Sequence, residues 1–153
     1  MDSLSLAPYI RELCADEGVY LDIGSGGGFP ALPIAVVLPE CHVCMVERSS
    51  KKAGFLRKVL GALSLDNVEI VVGDFPEAIR RSDVRAMVAR GVEKPERVAK
   101  GIVPFLESGA VFLCQHPSPE RMFPDEFHVE RIEDEWTRLG LRRGSLHRVT
   151  CGG

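Results

Sequence analysis

Residues 21–30, with the sequence LDIGSGGGFP, constrain the fold of this chain more than any other stretch. They have the pattern of a buried strand that runs into a glycine-rich turn, after which a helix begins. Glycine lacks a Cβ atom, so a ligand can approach the backbone, and a helix N-terminus presents unpaired N–H groups and a partial positive charge. The stretch therefore predicts a ligand site at this turn, with Ser25 among the candidate contacts.

The glycine spacing separates two classes of nucleotide ligand. A dinucleotide fingerprint requires Gly-x-Gly-x-x-Gly, whereas Gly24, Gly26 and Gly28 form Gly-x-Gly-x-Gly and position 29 is Phe. Asp22 precedes the turn, where its charge would repel a pyrophosphate but suits the ammonium and sulfonium cations of S-adenosylmethionine. The spacing therefore favours S-adenosylmethionine, with Asp22 and the three glycines as cofactor contacts. A tight strand-to-helix turn without a ligand is the alternative.

Length and composition predict one domain, residues 1–153, with residues 1–17 as a leading helical segment. No apolar run is long enough to span a membrane, and the acidic start at residues 1–2 is not typical of a signal peptide, so we expect a cytoplasmic protein. The five cysteines are scattered and odd in number, which does not indicate a disulfide framework. Cys41 and Cys44 form a C-x-x-C without a second pair, so we expect no metal site.

Helical and strand patterns alternate along the chain. The predicted helices are residues 5–14, 29–38, 50–63 and 95–106, and the predicted strands are residues 19–23, 42–46, 68–72, 86–89, 110–114, 127–132 and 146–150. Strand and helix repeat until the final pair of strands. This order predicts an α/β fold, a Rossmann-like and mainly parallel seven-stranded sheet with helices on both faces and one antiparallel strand at or near an edge.

Ligands of such sheets bind beyond the carboxyl ends of the strands, so the residues that end each strand are candidates for the site. Strand two ends in Glu47, at a spacing from the glycine turn where a carboxylate accepts hydrogen bonds from ribose hydroxyls. Strand three ends before Asp74 and Phe75, a carboxylate for the adenine amino group and a ring to cover the base. Strand four ends in Arg90. NAD would also use Glu47, but it leaves Asp22 and the glycine spacing unexplained.

Several motifs resemble those of the bacterial 16S ribosomal RNA guanine-N7 methyltransferases, also called glucose-inhibited division protein B. The resemblance is close from residue 2 to about residue 60 and looser beyond. Its most distinctive part is the pair of prolines, Pro30 and Pro33, in the second predicted helix. The matching segments are residues 2–4, 7–9, 24–35, 37–39 and 51–57.

The resemblance implies a class I methyltransferase fold, S-adenosylmethionine as methyl donor and N7 of a guanine in 16S ribosomal RNA as acceptor. It also implies roles for matching positions in this sequence. Gly24 and Phe29 would contact the cofactor, and Phe75 and Pro76 would flank its adenine. Arg90 would lie where cofactor and acceptor meet, which makes it the candidate catalytic residue.

Basic residues are concentrated downstream of residue 47, although the net charge is −3. Family members carry a helical arm upstream of the position of Asp2, a Lys-Gly where this chain has residues 115–116, and a Gly-x-Arg where it has residues 144–146. In the neighbouring hairpin, Arg142, Arg143 and Arg148 are the candidate contacts for RNA phosphates. We therefore expect 16S ribosomal RNA or the small ribosomal subunit as the partner.

The acceptor chemistry leaves alternatives open. Guanine N7 carries a lone pair and no proton, so methyl transfer to it needs alignment and electrostatics more than a general base. The departures at residues 115–116 and 144–146 are also compatible with a cofactor-binding homologue that lacks RNA activity and serves as a partner or regulatory subunit. A methyltransferase that acts on a small molecule is the third interpretation.

Overall fold

A computed structural model describes residues 2–152, which form one seven-stranded sheet with the strand order β3-β2-β1-β4-β5-β7-β6. The first five strands in chain order run parallel, and β7 is antiparallel to both of its neighbours. The antiparallel strand is thus one position from the edge, and the predicted doubly wound sheet is confirmed. The strands are β1 Val19–Ile23, β2 His42–Glu47, β3 Val68–Val72, β4 Val84–Ala89, β5 Val111–Cys114, β6 Phe127–Ile132 and β7 Leu146–Cys151.

The helices match the predicted order with three differences. The leading segment begins with a 3₁₀ helix, Asp2–Leu6, before the α-helix, and the second helix begins two residues later than predicted because Pro30 caps it from the glycine turn. A second 3₁₀ helix, Pro119–Arg121, and the short α5 have no strong periodic pattern and were not predicted. The α-helices are α1 Ala7–Leu13, α2 Ala31–Val37, α3 Ser50–Leu63, α4 Pro95–Glu107 and α5 Glu135–Arg138.

Local signals account for the ends of α3. The Ser49 hydroxyl accepts a hydrogen bond of 3.3 Å from the Lys52 backbone N–H, which satisfies one of the unpaired donors of the first turn. Ser64 ends the helix in the left-handed conformation. Between these caps, Ala53 and Leu56 face the sheet and are fully buried. The sequence pattern therefore determines this helix within a residue at each end.

Helices cover both faces of the sheet and divide the core into two clusters. The leading segment, α2 and α3 pack on one face through residues such as Ile10, Ile34 and Leu56. Helix α4 packs on the other face through Ile102 and Leu106. Strand β1 lies between the two clusters, and each of its five residues is buried. Strand β1 is therefore mostly apolar, as expected for a strand covered on both faces, and its one ionisable carboxyl is buried.

The parallel strands bring their carboxyl ends to one edge of the sheet. After β1 the chain turns at once, and the backbone N–H of Gly24 donates to Val46 of β2 at 2.9 Å. The connection between β6 and β7 lies at this same edge, because Ile132 pairs with Leu146 and Cys114 pairs with His147. The hairpin thus lies beside the carboxyl ends of the parallel strands.

In the described residues 2–152, the structure contains no helix with the length and apolar character needed to cross a membrane. The same residues contain no group of three or more His, Cys, Asp or Glu side chains arranged to hold a metal ion. The cysteines are all free thiols, and four of the five are buried.

Candidate functional site

A cavity of about 330 Å³ opens at the carboxyl ends of β1, β2, β3 and β4. The glycine turn and the segment between β4 and α4 both contribute to its lining. Most of the residues that the sequence predicts as cofactor contacts line it, although they come from four separate segments of the chain. They are Gly24, Ser25, Gly26, Phe29, Glu47, Asp74, Phe75 and Arg90.

Three predicted contacts do not line this cavity. A Cβ atom at Gly28 would come within 2.8 Å of Leu32 Cγ, so this glycine is needed for the packing of α2 and α3 against the turn. Pro76 packs instead against α4, where a Cβ atom at Gly101 would lie 3.1 Å from its Cδ. Asp22 lies behind the glycine turn. These three residues do not line the cavity, and their direct contacts with a ligand stay predictions.

Asp22 is buried, with 1% of its surface exposed. Among the described residues its Oδ2 atom has no hydrogen-bond partner. Burial raises the pKa of the Asp22 carboxyl to about 6, because the charged form loses its hydration. A buried carboxylate oxygen without a partner among the described residues is suited to a nearby cation.

Glu47 braces the glycine turn as well as lining the cavity. Its Oε2 accepts a hydrogen bond of 2.8 Å from the Gly26 N–H, and its Oε1 accepts one of 2.8 Å from the Ser49 N–H. The side chain is 4% exposed, and each carboxylate oxygen keeps a lone pair for a further donor. The sequence predicts the ribose contact, but it does not predict that this carboxylate also joins the turn to the start of α3.

Aromatic side chains form the apolar part of the cavity. Phe29 is 62% exposed, an unusual exposure for a large apolar ring. Phe75 is buried and stacks on Phe105 of α4, with ring centroids 6.0 Å apart. Asp74 lies exposed beside it. The cavity is thus lined by two aromatic rings and an exposed carboxylate.

Residues 91–94 and the first turns of α4 also line the cavity, and the sequence did not predict this part of the site. Val92 approaches the glycine turn, since a Cβ atom at Gly24 would lie 3.2 Å from its Cγ1. The segment follows a strand end and precedes Pro95, and these two signals together could have indicated it.

A second cavity of about 440 Å³ adjoins the first at the ends of β4 and β5. Arg90, Gly91, Val92 and Val98 border both cavities. Asp2, Gln115, His116 and Arg143 supply polar groups to the second one, and Phe112 and Met122 supply apolar walls. Arg90 therefore lies at the boundary of two adjoining sites.

The three arginines predicted to contact RNA lie in different environments. Arg143 is exposed and borders the second cavity. Arg148 is half-buried in β7 and lines neither cavity. The Arg142 side chain is fully buried and donates to Asp134 at 2.6 Å and 3.0 Å and to the Ser5 hydroxyl at 3.0 Å. The prediction that Arg142 contacts RNA phosphates is wrong, because its donors serve the interior.

The family model of rRNA small subunit methyltransferase G (GidB) matches residues 1–121. The chain belongs to this family. Ribosomal RNA small subunit methyltransferase G of Sorangium cellulosum is 40% identical over 151 residues, which are 95% of this chain and 59% of the relative. That of Leuconostoc mesenteroides is 35% identical over 123 residues, covering 76% of this chain and 51% of the relative. The chain thus spans about half the length of the curated relatives that it matches.

Solved structures support the fold. A putative rRNA-methylase from Clostridium thermocellum superposes with a TM-score of 0.68 at 15% identity, covering 100% of this chain and 97% of the other. Precorrin-6y C5,15-methyltransferase from Geobacter metallireducens superposes with a TM-score of 0.65 at 16% identity, covering 96% and 84%. These similarities confirm the class I methyltransferase fold, including β6 and β7, which lie beyond the family-model match.

Proposed function

We propose that the protein binds S-adenosylmethionine in the first cavity and transfers its methyl group to N7 of a guanine in 16S ribosomal RNA. The observation that carries the proposal is the position of Arg90 between two adjoining cavities, the first of which combines the glycine turn with Glu47. Membership of the rRNA small subunit methyltransferase G family supports the reaction and its substrate. Because the proposed substrate is ribosomal RNA, we expect the reaction to take place in the cytoplasm.

The residues of the first cavity fit S-adenosylmethionine. At Gly26 a Cβ atom would meet only the Gly24 carbonyl oxygen, at 3.7 Å, so the absent side chain leaves space at the cavity wall for a ligand. Glu47 would accept hydrogen bonds from the ribose hydroxyls, and Asp74 from the adenine amino group. Phe29 and Phe75 would pack against the base. The unpartnered Asp22 oxygen would stabilise the ligand's positive charge from behind the turn.

When bound, S-adenosylmethionine supplies an electrophilic methyl group on its sulfonium. The acceptor guanine would enter the second cavity, where Arg90 holds it in line with the first. N7 needs no general base because it carries a lone pair and no proton, so the protein contributes orientation and exclusion of water. The proposed contacts for RNA phosphates are Arg143, which precedes β7, and Arg148, which lies in β7.

Gly26→Val is expected to weaken binding of S-adenosylhomocysteine, the demethylated cofactor, by about thirtyfold, or roughly 2 kcal/mol. The branched side chain would fill the space that the cofactor needs, and the backbone at this residue has a φ of 53°, which a branched residue tolerates poorly. Isothermal titration calorimetry measures the dissociation constant.

The matched control is Gly109→Val. Gly109 also has a positive φ, 91°, and open space around its Cβ position, but it precedes β5 at the opposite edge of the sheet. This variant should share the backbone strain and keep its cofactor affinity. Equal loss of affinity in both variants, or tight binding of NAD by the unmodified protein, would contradict the cofactor assignment.

Arg90→Ala is expected to lower kcat for methylation of unmodified 16S RNA by about thirtyfold, because the acceptor loses its alignment with the methyl group. Labelled donor incorporated into the RNA gives the rate, and chemical cleavage at N7-methylguanine gives the position. Arg11→Ala is the control, since Arg11 of α1 forms an exposed ion pair with Glu40 and lines neither cavity. Cofactor binding without methylation of any ribosomal RNA would favour a non-catalytic homologue or a small-molecule methyltransferase.

A further inference from the structure

Asp2, in the leading 3₁₀ helix, contacts the boundary between the two cavities. Its Oδ2 lies 2.8 Å from Nη2 of Arg90, which is 88 positions further along the chain. Its Oδ1 accepts a hydrogen bond of 3.3 Å from the backbone N–H of Arg143. The Asp2 side chain is 18% exposed and that of Arg90 is 41% exposed. This pair is therefore shielded from water more than a typical surface ion pair.

A chain of buried hydrogen bonds holds Asp2 in this position. The Ser5 hydroxyl donates to the Asp2 carbonyl at 2.7 Å. The Arg142 guanidinium donates in turn to the Ser5 hydroxyl at 3.0 Å and to the Ser5 carbonyl at 3.2 Å. Asp134, which precedes α5, binds the same guanidinium. The leading segment is thus joined to the β6–β7 connection, and Asp2 is fixed beside the second cavity.

Arg90 depends on this carboxylate for its orientation. Across residues 2–152, the Arg90 side chain has no ion pair or side-chain hydrogen bond other than the pair with Asp2. An arginine side chain has several rotatable bonds, and the entropy cost of restricting them must be offset by an interaction with a partner. With one nitrogen facing Asp2, the guanidinium keeps further donors for a bound group.

We propose that Asp2 is a positioning residue, which holds the Arg90 guanidinium between the cofactor and acceptor cavities. The inference rests on the proposed function, because it assigns Asp2 a role in the same methyl transfer. Asp2 borders the second cavity and not the first, so its effect falls on the acceptor step rather than on cofactor binding. The acceptor site is therefore incomplete without the leading segment.

Asp2→Asn tests the proposal and retains the backbone carbonyl that Ser5 binds. We expect it to lower kcat on 16S RNA by about tenfold, a smaller loss than that of Arg90→Ala, with the dissociation constant of S-adenosylhomocysteine changed less than about twofold. Asp2→Glu keeps the charge and should recover most of the rate. Glu40→Gln removes an acid from an exposed pair far from the cavities and should leave kcat unchanged.

A double-mutant cycle separates positioning from a general structural effect. If Asp2 acts through Arg90, then the double variant Asp2→Asn/Arg90→Ala should be no slower than Arg90→Ala alone. Multiplication of the two single losses would overturn the proposal, and so would an unchanged kcat in Asp2→Asn.

A second measurement does not require activity. Phenylglyoxal modifies accessible, unpaired arginines, and peptide mass spectrometry gives the modification rate at each one. Arg90 should react several times faster in Asp2→Asn than in the unmodified protein, while Arg11 should react at the same rate in both. Equal Arg90 rates would overturn the proposal. If the unmodified protein methylates no RNA but Arg90 reactivity responds to Asp2, the proposed function fails and the pairing of the two side chains stands.

Discussion

Arg142→Met is expected to lower the free energy of unfolding by about 3–5 kcal/mol, the range for removing one partner of a buried ion pair. The Arg142 side chain is fully buried, and it donates to Asp134, Thr137 and Ser5. Methionine fills much of the volume but donates no hydrogen bond, so the Asp134 carboxylate loses its counter-ion. Urea denaturation measured on the unmodified protein and the variant gives the difference.

Arg143→Met is the matched control, since the neighbouring side chain is exposed. Its effect should lie within about 0.5 kcal/mol, as for other surface substitutions. A similar loss in both variants would contradict the assignment of Arg142 as the residue that joins the leading segment to the β6–β7 connection.

The pH dependence of the stability lost in Arg142→Met tests whether Asp134 is the partner of Arg142. Burial opposes ionisation of Asp134, but hydrogen bonds from Arg142, Tyr9 and the Thr137 backbone N–H outweigh it and lower the pKa of this carboxyl. A lowered pKa adds stability above the unfolded-state value, about 4, and this stability is lost as the pH falls towards the folded-state value. The penalty of Arg142→Met should therefore be full at pH 7 and begin to shrink below about pH 4.

Asp22→Asn is expected to stabilise the protein without cofactor by about 3 kcal/mol at pH 8. Burial raises the pKa of the Asp22 carboxyl from 3.8 to about 6, and each unit corresponds to about 1.4 kcal/mol. Between these two values the folded state holds a proton that the unfolded state releases, so stability falls as the pH rises through this range. Asparagine carries no charge, so the gain should be absent below about pH 4 and complete above about pH 6.

The same substitution should weaken S-adenosylhomocysteine binding by about tenfold, because the ligand's ammonium loses the negative charge behind the turn. Thermal or urea unfolding at pH 4 and pH 8, together with calorimetry, measures both effects. Asp16→Asn, at an exposed position, should change neither. A destabilised Asp22→Asn at pH 8 would show that the ionised carboxylate gains more from its surroundings than it loses by burial.

The sequence alone predicts three strands with the bounds that the structure has, namely β1, β3 and β6. Strands β1 and β3 are short and mostly apolar and are followed by glycine, whereas β6 starts as an alternation of apolar and polar residues, so local patterns are sufficient for these three. The same patterns predict a mainly parallel, doubly wound sheet with one antiparallel strand near an edge, because alternating strands and helices have few right-handed arrangements. They also bring Glu47, Asp74 and Arg90 to one edge, since parallel strands end together.

The rule that parallel strands end together locates the ends of the strands but not the direction of each side chain. It therefore does not decide which of the predicted residues line the cavity. Gly28 lies in the glycine turn and Asp22 in β1 just before it, yet the first is needed for packing and the second is buried. Which residue of a turn faces a ligand depends on backbone angles and on the helices packed beneath it.

The sequence by itself determined the strands of the sheet, helices α1 to α4 and the edge at which the cavities form, because these follow from short-range periodicity and the handedness of the chain. Only the tertiary structure decided between Arg142 and Arg143, which are adjacent and chemically identical. One is buried against Ser5 and Asp134, and the other faces the second cavity. Likewise, only packing brings Asp2 to Arg90. A charged side chain acquires its role from its partners, and these partners come from segments far apart in the chain.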